Sequence, residues 1–196
     1  MFKSLLRKSV LPLGLLGSLA AAGSAHASEW EVDPAHTTAT FAVRHMMVTT
    51  VKGSFEKVNG TVALDDANPT RSKIEFAIDA ASINTRNEQR DGHLKSPDFF
   101  DVAKHPKATF VSTEIVPGGE KGASHTVTGN FTLHGVTKSI KFPAKIAVTD
   151  GSAKVDSEFF INRKDFGIVY PGQANNLIRD EVVIKLALNG TKPSGQ

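Results

Sequence analysis

The chain contains no cysteine, which excludes disulfides, thiolate nucleophiles, thiolate metal sites and a lipidated N-terminal cysteine. Its aromatic content is lopsided, with one Trp and one Tyr against 12 Phe, so nearly all ring surface lacks a polar handle. No G-x-S-x-G nucleophile elbow is present. A long apolar run occurs only at the start. There Lys3, Arg7 and Lys8 precede an apolar stretch at 10–22, and Ala25-His26-Ala27 fits a small-x-small cleavage site. Residues 1–27 therefore read as a cleaved secretory signal whose apolar run is too short to span a bilayer. Without it the 23 Lys+Arg lose three, leaving 20 against 20 Asp+Glu. The expected mature chain, 28–196, is thus formally neutral. It carries no basic patch for nucleic acid and no polybasic segment for anionic lipid surfaces. Its length suits one domain with a sizeable core, exported and without a stable membrane anchor.

What the mature chain does have is alternation. Ile74, Phe76 and Ile78 alternate with Lys73, Glu75, Ala77 and Asp79; Ile140, Phe142, Ala144, Ile146 and Val148 repeat the pattern, as do Val182, Ile184, Leu186 and Leu188. Period two with one apolar face means antiparallel sheet with one wet side. Strands are expected near 36–46, 53–65, 72–80, 107–116, 125–134, 137–149, 153–162 and 181–190. His134-Gly135 and Asp150-Gly151 suit two-residue hairpins. Asn59-Gly60 is either a hairpin or a bulge that bends one long strand. Eight such strands either close into an up-and-down barrel or form a sandwich. Their length and a helical insertion favour the barrel.

That insertion reads INTRNEQRDGHLKSPDFFD at 83–101. Thr85 with Glu88 three positions on suits a capping box, and Ser96-Pro97 the cap and first residue of a second, shorter helix. Arg86, Arg90 and His93 would share one face of the first helix, either receiving a phosphate or quinone head group or pairing with Asp91, Asp98 or Asp101. Phe99 and Phe100, being adjacent, are expected to point different ways, one into the barrel mouth and one beneath the helix.

The insertion, together with WEVDPAHTTATFAVRH at 30–45, GSFEKVNGTV at 53–62, HPKATFVST at 105–113, VTGNFTLHGVTKSIKFP at 127–143 and INRKDFGI at 161–168, closely resembles the YceI-like, polyisoprenoid-binding family. The match covers nearly all of 29–190. The resemblance implies an all-β, eight-stranded, lipocalin-like barrel in the bacterial periplasm that holds a long apolar chain, with no established catalytic residues. It also favours the bent strand at Asn59-Gly60, and it turns the apolar faces into cavity candidates. These are Phe41, Val43, Phe55, Ile74, Phe76, Ile78, Phe99, Phe100, Phe110, Phe131, Leu133, Phe142, Phe159 and Leu186, with Arg86, Arg90 and His93 at the mouth.

The implied ligand is a long-chain isoprenoid, such as a polyprenyl phosphate or isoprenoid quinone, with no cofactor and with room for a homodimer. Alternatives are a fatty-acid or fatty-amide binder of the same fold, a protein-interaction or stress protein with a filled barrel, and a hydrolase using Arg90, Asp91 and His93. No metal set is expected, since His36, His45, His93, His105, His125 and His134 have no paired spacing. Scattered, structurally satisfied histidines are the simpler reading.

Overall fold

The computed structural model describes residues 28–45, 49–65, 71–149, 151–170 and 178–193. Residues 1–27, where a signal segment is expected, Asp150 and part of the 162–180 loop lie outside the described residues. The strands are β1 (Ser28–Val32), β2 (Thr38–His45), β3 (Thr49–Phe55), β4 (Val58–Leu64), β5 (Lys73–Asp79), β6 (Ile83–Asn84), β7 (Lys107–Pro117), β8 (His125–Leu133), β9 (Val136–Val148), β10 (Ser152–Asn162) and β11 (Ile178–Thr191). The helix α1 (Glu88–Lys95) lies between β6 and β7.

These pieces make eight antiparallel staves that close on themselves. The ladder runs β1–β4–β5–β7–β8–β9–β10–β11, and β11 returns to pair with β1 through Glu31↔Thr191 and Val32↔Gly190. The other half of β11 pairs with β2, and β2 with β3. So β1 and β2 are two halves of one bent stave, β3 and β4 of a second, and β5 and β6 of a third.

The three bends sit side by side and each has a local cause. Pro34 opens a 3-10 turn over Pro34–His36 that Asp33 caps, its carboxylate accepting from the Ala35 amide at 2.9 Å. Glu56–Lys57 leaves the ladder, and both amides donate to Ser82, one to its carbonyl at 3.2 Å and one to its hydroxyl at 3.1 Å. Asp79 caps the third bend over Ala80–Ser82.

The 53–65 segment is therefore a bent stave rather than a hairpin, with its bend at 56–57 instead of Asn59-Gly60. Gly60 lies inside β4, where a Cβ would come within 2.1 Å of the Glu75 carbonyl oxygen. The first stave also starts at Ser28, eight residues earlier than the expected strand at 36. Trp30 and Val32 enter the core while Glu29 and Glu31 face water.

The β8–β9 hairpin turns at His134-Gly135 with φ of 51° and 75°, the two-residue geometry expected of that pair. Across the β9–β10 join, Thr149 and Ser152 bond through their backbones at 2.9 and 3.4 Å. β7 carries a bulge at Thr113 against β8, and on its other side the buried Ser112 hydroxyl accepts the Ile74 amide at 2.9 Å.

Two expectations for the insertion give way. The N-cap of α1 is Asn87, whose side chain accepts from the Arg90 amide at 2.9 Å. Thr85 is buried instead and bonds Asp91. No second helix follows. Ser96 ends α1 with its amide on the His93 carbonyl, and its own carbonyl accepts from Phe99 and Asp101 at 3.1 and 2.9 Å. Residues 97–100 are thus a turn, with Pro97 fixing its φ. No described helix is long and apolar enough to cross a membrane.

Candidate functional site: an apolar cavity under the insertion

The barrel interior is packed unevenly along its length. At the end away from α1 it is filled by Trp30, Val62, Ile74, Val127, Val155 and Leu188, each no more than 3 % exposed. A row of rings crosses the middle. Phe76 stacks on Phe110 at 5.2 Å, Phe110 tilts against Phe142 at 5.3 Å, and Phe142 stacks on Phe159 at 4.6 Å. Above this row, under α1, lies a cavity of about 110 Å3 whose accessible surface is apolar.

Of the residues the sequence assigns to a cavity, Phe41, Val43, Phe55, Phe76, Ile78, Phe99, Phe100, Phe131, Leu133, Phe159 and Leu186 line it. Ile74, Phe110 and Phe142 do not. They are buried below it, Phe110 and Phe142 completing the ring row between Phe76 and Phe159 and so forming a floor. Alternation identified the inward face of each strand but carries no information on height within the barrel.

Residues the sequence did not single out complete the wall, among them Ala39, Ala108, Leu94, Ile161 and Ile168. The small Ala39 and Ala108 make room opposite large rings. Leu94, Phe99 and Phe100 form the roof. Both rings reach the cavity, contrary to the expected split, because they stand in a turn and not on a regular helix. Phe100 meets Phe55 edge-on at 5.7 Å, and Phe99 packs against Tyr170 at 4.8 Å.

Arg163, only 6 % exposed, also lines the wall and was not foreseen as a site residue. Its guanidinium donates to the carbonyls of Ile168 (2.7 Å), Tyr170 (3.2 Å), Arg179 (3.3 Å) and Ile178 (3.4 Å), and to Asp180 Oδ1 at 3.0 Å. This one side chain fastens the 163–170 segment to the start of β11. The Lys164 ammonium bonds the other Asp180 oxygen at 2.9 Å and, together with Arg163, holds the Asp180 carboxyl below its ordinary value. A depressed carboxylate contributes stability that is present above its unfolded pKa, about 3.9, and lost as pH falls through the lower folded value. The stability difference between wild type and Asp180→Asn should accordingly be constant near neutral pH and shrink below about pH 4. Urea titrations at several pH values check this.

The three mouth candidates do not share a face. Arg86 precedes α1 with φ 61°, and its exposed side chain makes no hydrogen bond or ion pair among the described residues. Arg90 turns back, donating from Nε to the Thr85 hydroxyl and from Nη2 to the Thr85 carbonyl, both at 2.8 Å. His93 Nε2 lies 2.8 Å from Asp98 Oδ2, and its ring meets Phe99 and Tyr170 edge-on at 5.1 Å each. Asp91 accepts from both the amide and the hydroxyl of Thr85. Arg90, Asp91 and His93 are therefore spent on two separate anchors. Arg90→Ala should lower stability by about 1–2 kcal/mol, a Tm loss of roughly 2–8 °C, leaving any head-group preference unchanged. Calorimetry beside a head-group series checks both halves.

The histidines are less scattered than their spacing suggests. His105 and His134 stand with ring centroids 4.8 Å apart, close to Asp101.

The YceI-like domain model matches residues 30–189. A UPF0312 protein of Pectobacterium atrosepticum is 38% identical over 173 residues, spanning 84% of this chain and 88% of its own. Among solved structures, Burkholderia cenocepacia BcnA aligns with a TM-score of 0.74 at 27% identity, covering 82% of this chain and 99% of that one. A polyisoprenoid binding domain from Saccharophagus degradans aligns with a TM-score of 0.67 over 85% of this chain and 99% of its own; at 17% identity it is similar in fold.

Proposed function

Because the chain belongs to the YceI-like family, we propose that it is an exported, periplasmic and non-catalytic binder of a long-chain isoprenoid lipid, a polyprenyl phosphate or isoprenoid quinone. The observation that carries this reading is the cavity itself. Its accessible wall surface is apolar, and the guanidinium of the lining Arg163 is taken up by four backbone carbonyls and Asp180. An apolar chain is the ligand such a wall accepts. The solved relative described as a polyisoprenoid binding domain supports the same class of ligand.

The resting cavity, about 110 Å3, is smaller than the 150 Å3 or so that admits benzene in an engineered core, and holds about one isoprene unit. A longer chain enters by displacing the roof. Leu94 at the end of α1 and Phe99 and Phe100 in the turn after it are only partly buried, whereas the floor rings are packed on one another and enclosed. Each isoprene unit adds five carbons, worth on the order of 4 kcal/mol of burial before ordering costs. Two or three units thus offset the loss of the roof contacts and still reach micromolar binding. The chain supplies affinity, and the polar residues outside the roof, Arg86 with its unengaged guanidinium foremost, meet the head group.

The same small volume favours a second reading, an interaction protein whose barrel stays filled. A fatty acid or amide would be a variant of the first. Native mass spectrometry of freshly purified protein, followed by solvent extraction, separates them. A branched isoprenoid at near-equal ratio supports the proposal, and a linear acyl chain replaces the ligand class. Failure to take up polyprenyl phosphate from loaded vesicles favours the filled barrel. N-terminal sequencing of periplasmic protein beginning at Ser28 supports export.

A further inference from the structure

We propose that Asp101, His105 and His134 form a binding site for one divalent transition-metal ion of the zinc class, placed beside the cavity roof. Each offers one ligand atom, and the three atoms lie within 4.8 Å of one another. A tetrahedral ion with bonds near 2.0–2.2 Å holds its donors roughly 3.4 Å apart, so a small side-chain rotation closes the set. Two imidazoles and a carboxylate with an open fourth position suit zinc or its neighbours, and not calcium or magnesium, which take oxygen ligands.

The surroundings hold the donors in place. His134 Nδ1 lies 3.2 Å from the Phe166 carbonyl, which can only accept. The proton therefore sits on Nδ1, and Nε2 keeps its lone pair, the usual outer-shell arrangement of a metal-binding histidine. The His105 ring lies against Gly135, where a Cβ would come within 2.6 Å of its Cε1, so only glycine gives the ring that place. Among the described residues, no hydrogen bond engages either nitrogen of His105. Asp101 is 6 % exposed and uses Oδ2 on Lys104 Nζ at 3.0 Å. Its carbonyl accepts from the amides of Lys104 and His105 at 2.9 and 2.8 Å, fixing the loop between two of the ligands.

Asp101 is held in left-handed backbone, φ 43°, a conformation kept only where the surroundings enforce it, and the hairpin turn fixes His134 at φ 51°. The three residues come from two elements 29 positions apart, joined by the β7–β8 pairing. Asp101 directly follows Phe99 and Phe100, so an ion here ties the roof turn to the β8–β9 hairpin.

The test uses untagged protein treated with chelator and then titrated with zinc chloride alone. Isothermal titration should give one ion per chain, with affinity reduced at least tenfold in Asp101→Asn, His105→Gln and His134→Asn, and unchanged in His36→Gln. Asparagine is chosen at 101 and 134 because it tolerates the left-handed backbone. On the wild type, zinc should shift the imidazole resonances of His105 and His134 alone and slow amide exchange over 94–105. No zinc binding, binding that survives the 101 and 134 substitutions, shifts at other histidines, or unchanged exchange over 94–105 would each overturn the proposal. No lipid is involved, so the outcome is independent of the proposed function.

Discussion

Arg163→Ala is expected to destabilise the protein by about 3–5 kcal/mol, the cost of dismantling a buried, multiply bonded charge. The substitution strips a donor from four backbone carbonyls and leaves Asp180 with Lys164 alone. Those carbonyls belong to the 163–170 segment and the first residues of β11, so that end of the barrel should loosen first. Lysine should not rescue it, because one ammonium on a flexible stem cannot span five acceptors in a planar fork. Urea unfolding gives the magnitude, and amide exchange should show β11 residues 178–182 opening ahead of the rest. A loss below about 1 kcal/mol would mean that water replaces the guanidinium without cost.

Filling and enlarging the cavity should move lipid binding in opposite directions. Ala108→Phe places a ring into the about 110 Å3 space above the floor, next to Phe131 and Leu133. It should abolish chain binding while changing stability by less than about 2 kcal/mol, because the added atoms enter a void. Phe76→Ala removes a ring that is 4 % exposed and stacked on Phe110 at 5.2 Å. It should cost about 3–5 kcal/mol of stability. The widened space, however, should take a short isoprenoid more readily than wild type does, since the roof then moves less. If every inward phenylalanine added affinity by contact, Phe76→Ala would weaken binding; the narrowness of the cavity argues for the opposite sign. Thermal shifts with farnesol across the three proteins check the order Phe76→Ala, wild type, Ala108→Phe.

Alternation was enough to read most staves, since one buried face leaves a period of two that nothing else in this chain imitates. The first half of the first stave, β1, is not legible although Trp30 and Val32 alternate with Glu29 and Glu31, because a five-residue strand just before Pro34 offers little pattern. Capping rules failed at Thr85 for a physical reason. Burial and the bonds to Asp91 and Arg90 outweigh what a cap would give, and Asn87 serves instead. Ser96-Pro97 has the same local chemistry at a helix start and in a turn, and only the Phe99 and Phe100 rings seeking the cavity decide between them.

Long-range placement was not legible. Arg163 stands in a motif that carries the family resemblance, yet four of its five acceptors are backbone carbonyls, which no side-chain pattern reports. His105 and His134 have unremarkable linear spacing and meet only because β7 pairs with β8. The division into cavity and floor was likewise invisible, since Phe76 and Phe110 occupy equivalent inward positions on neighbouring strands.

The most direct measurement is the structure of the protein loaded with a polyprenyl phosphate. Continuous chain density is expected between Phe41, Phe76, Phe131 and Phe159, with a displaced Phe99–Phe100 turn and the head group outside the roof on the side of Arg86. Chain density on the outer face of the barrel, around the exposed Phe160 and Val169 with the roof unmoved and the interior unchanged, would contradict it.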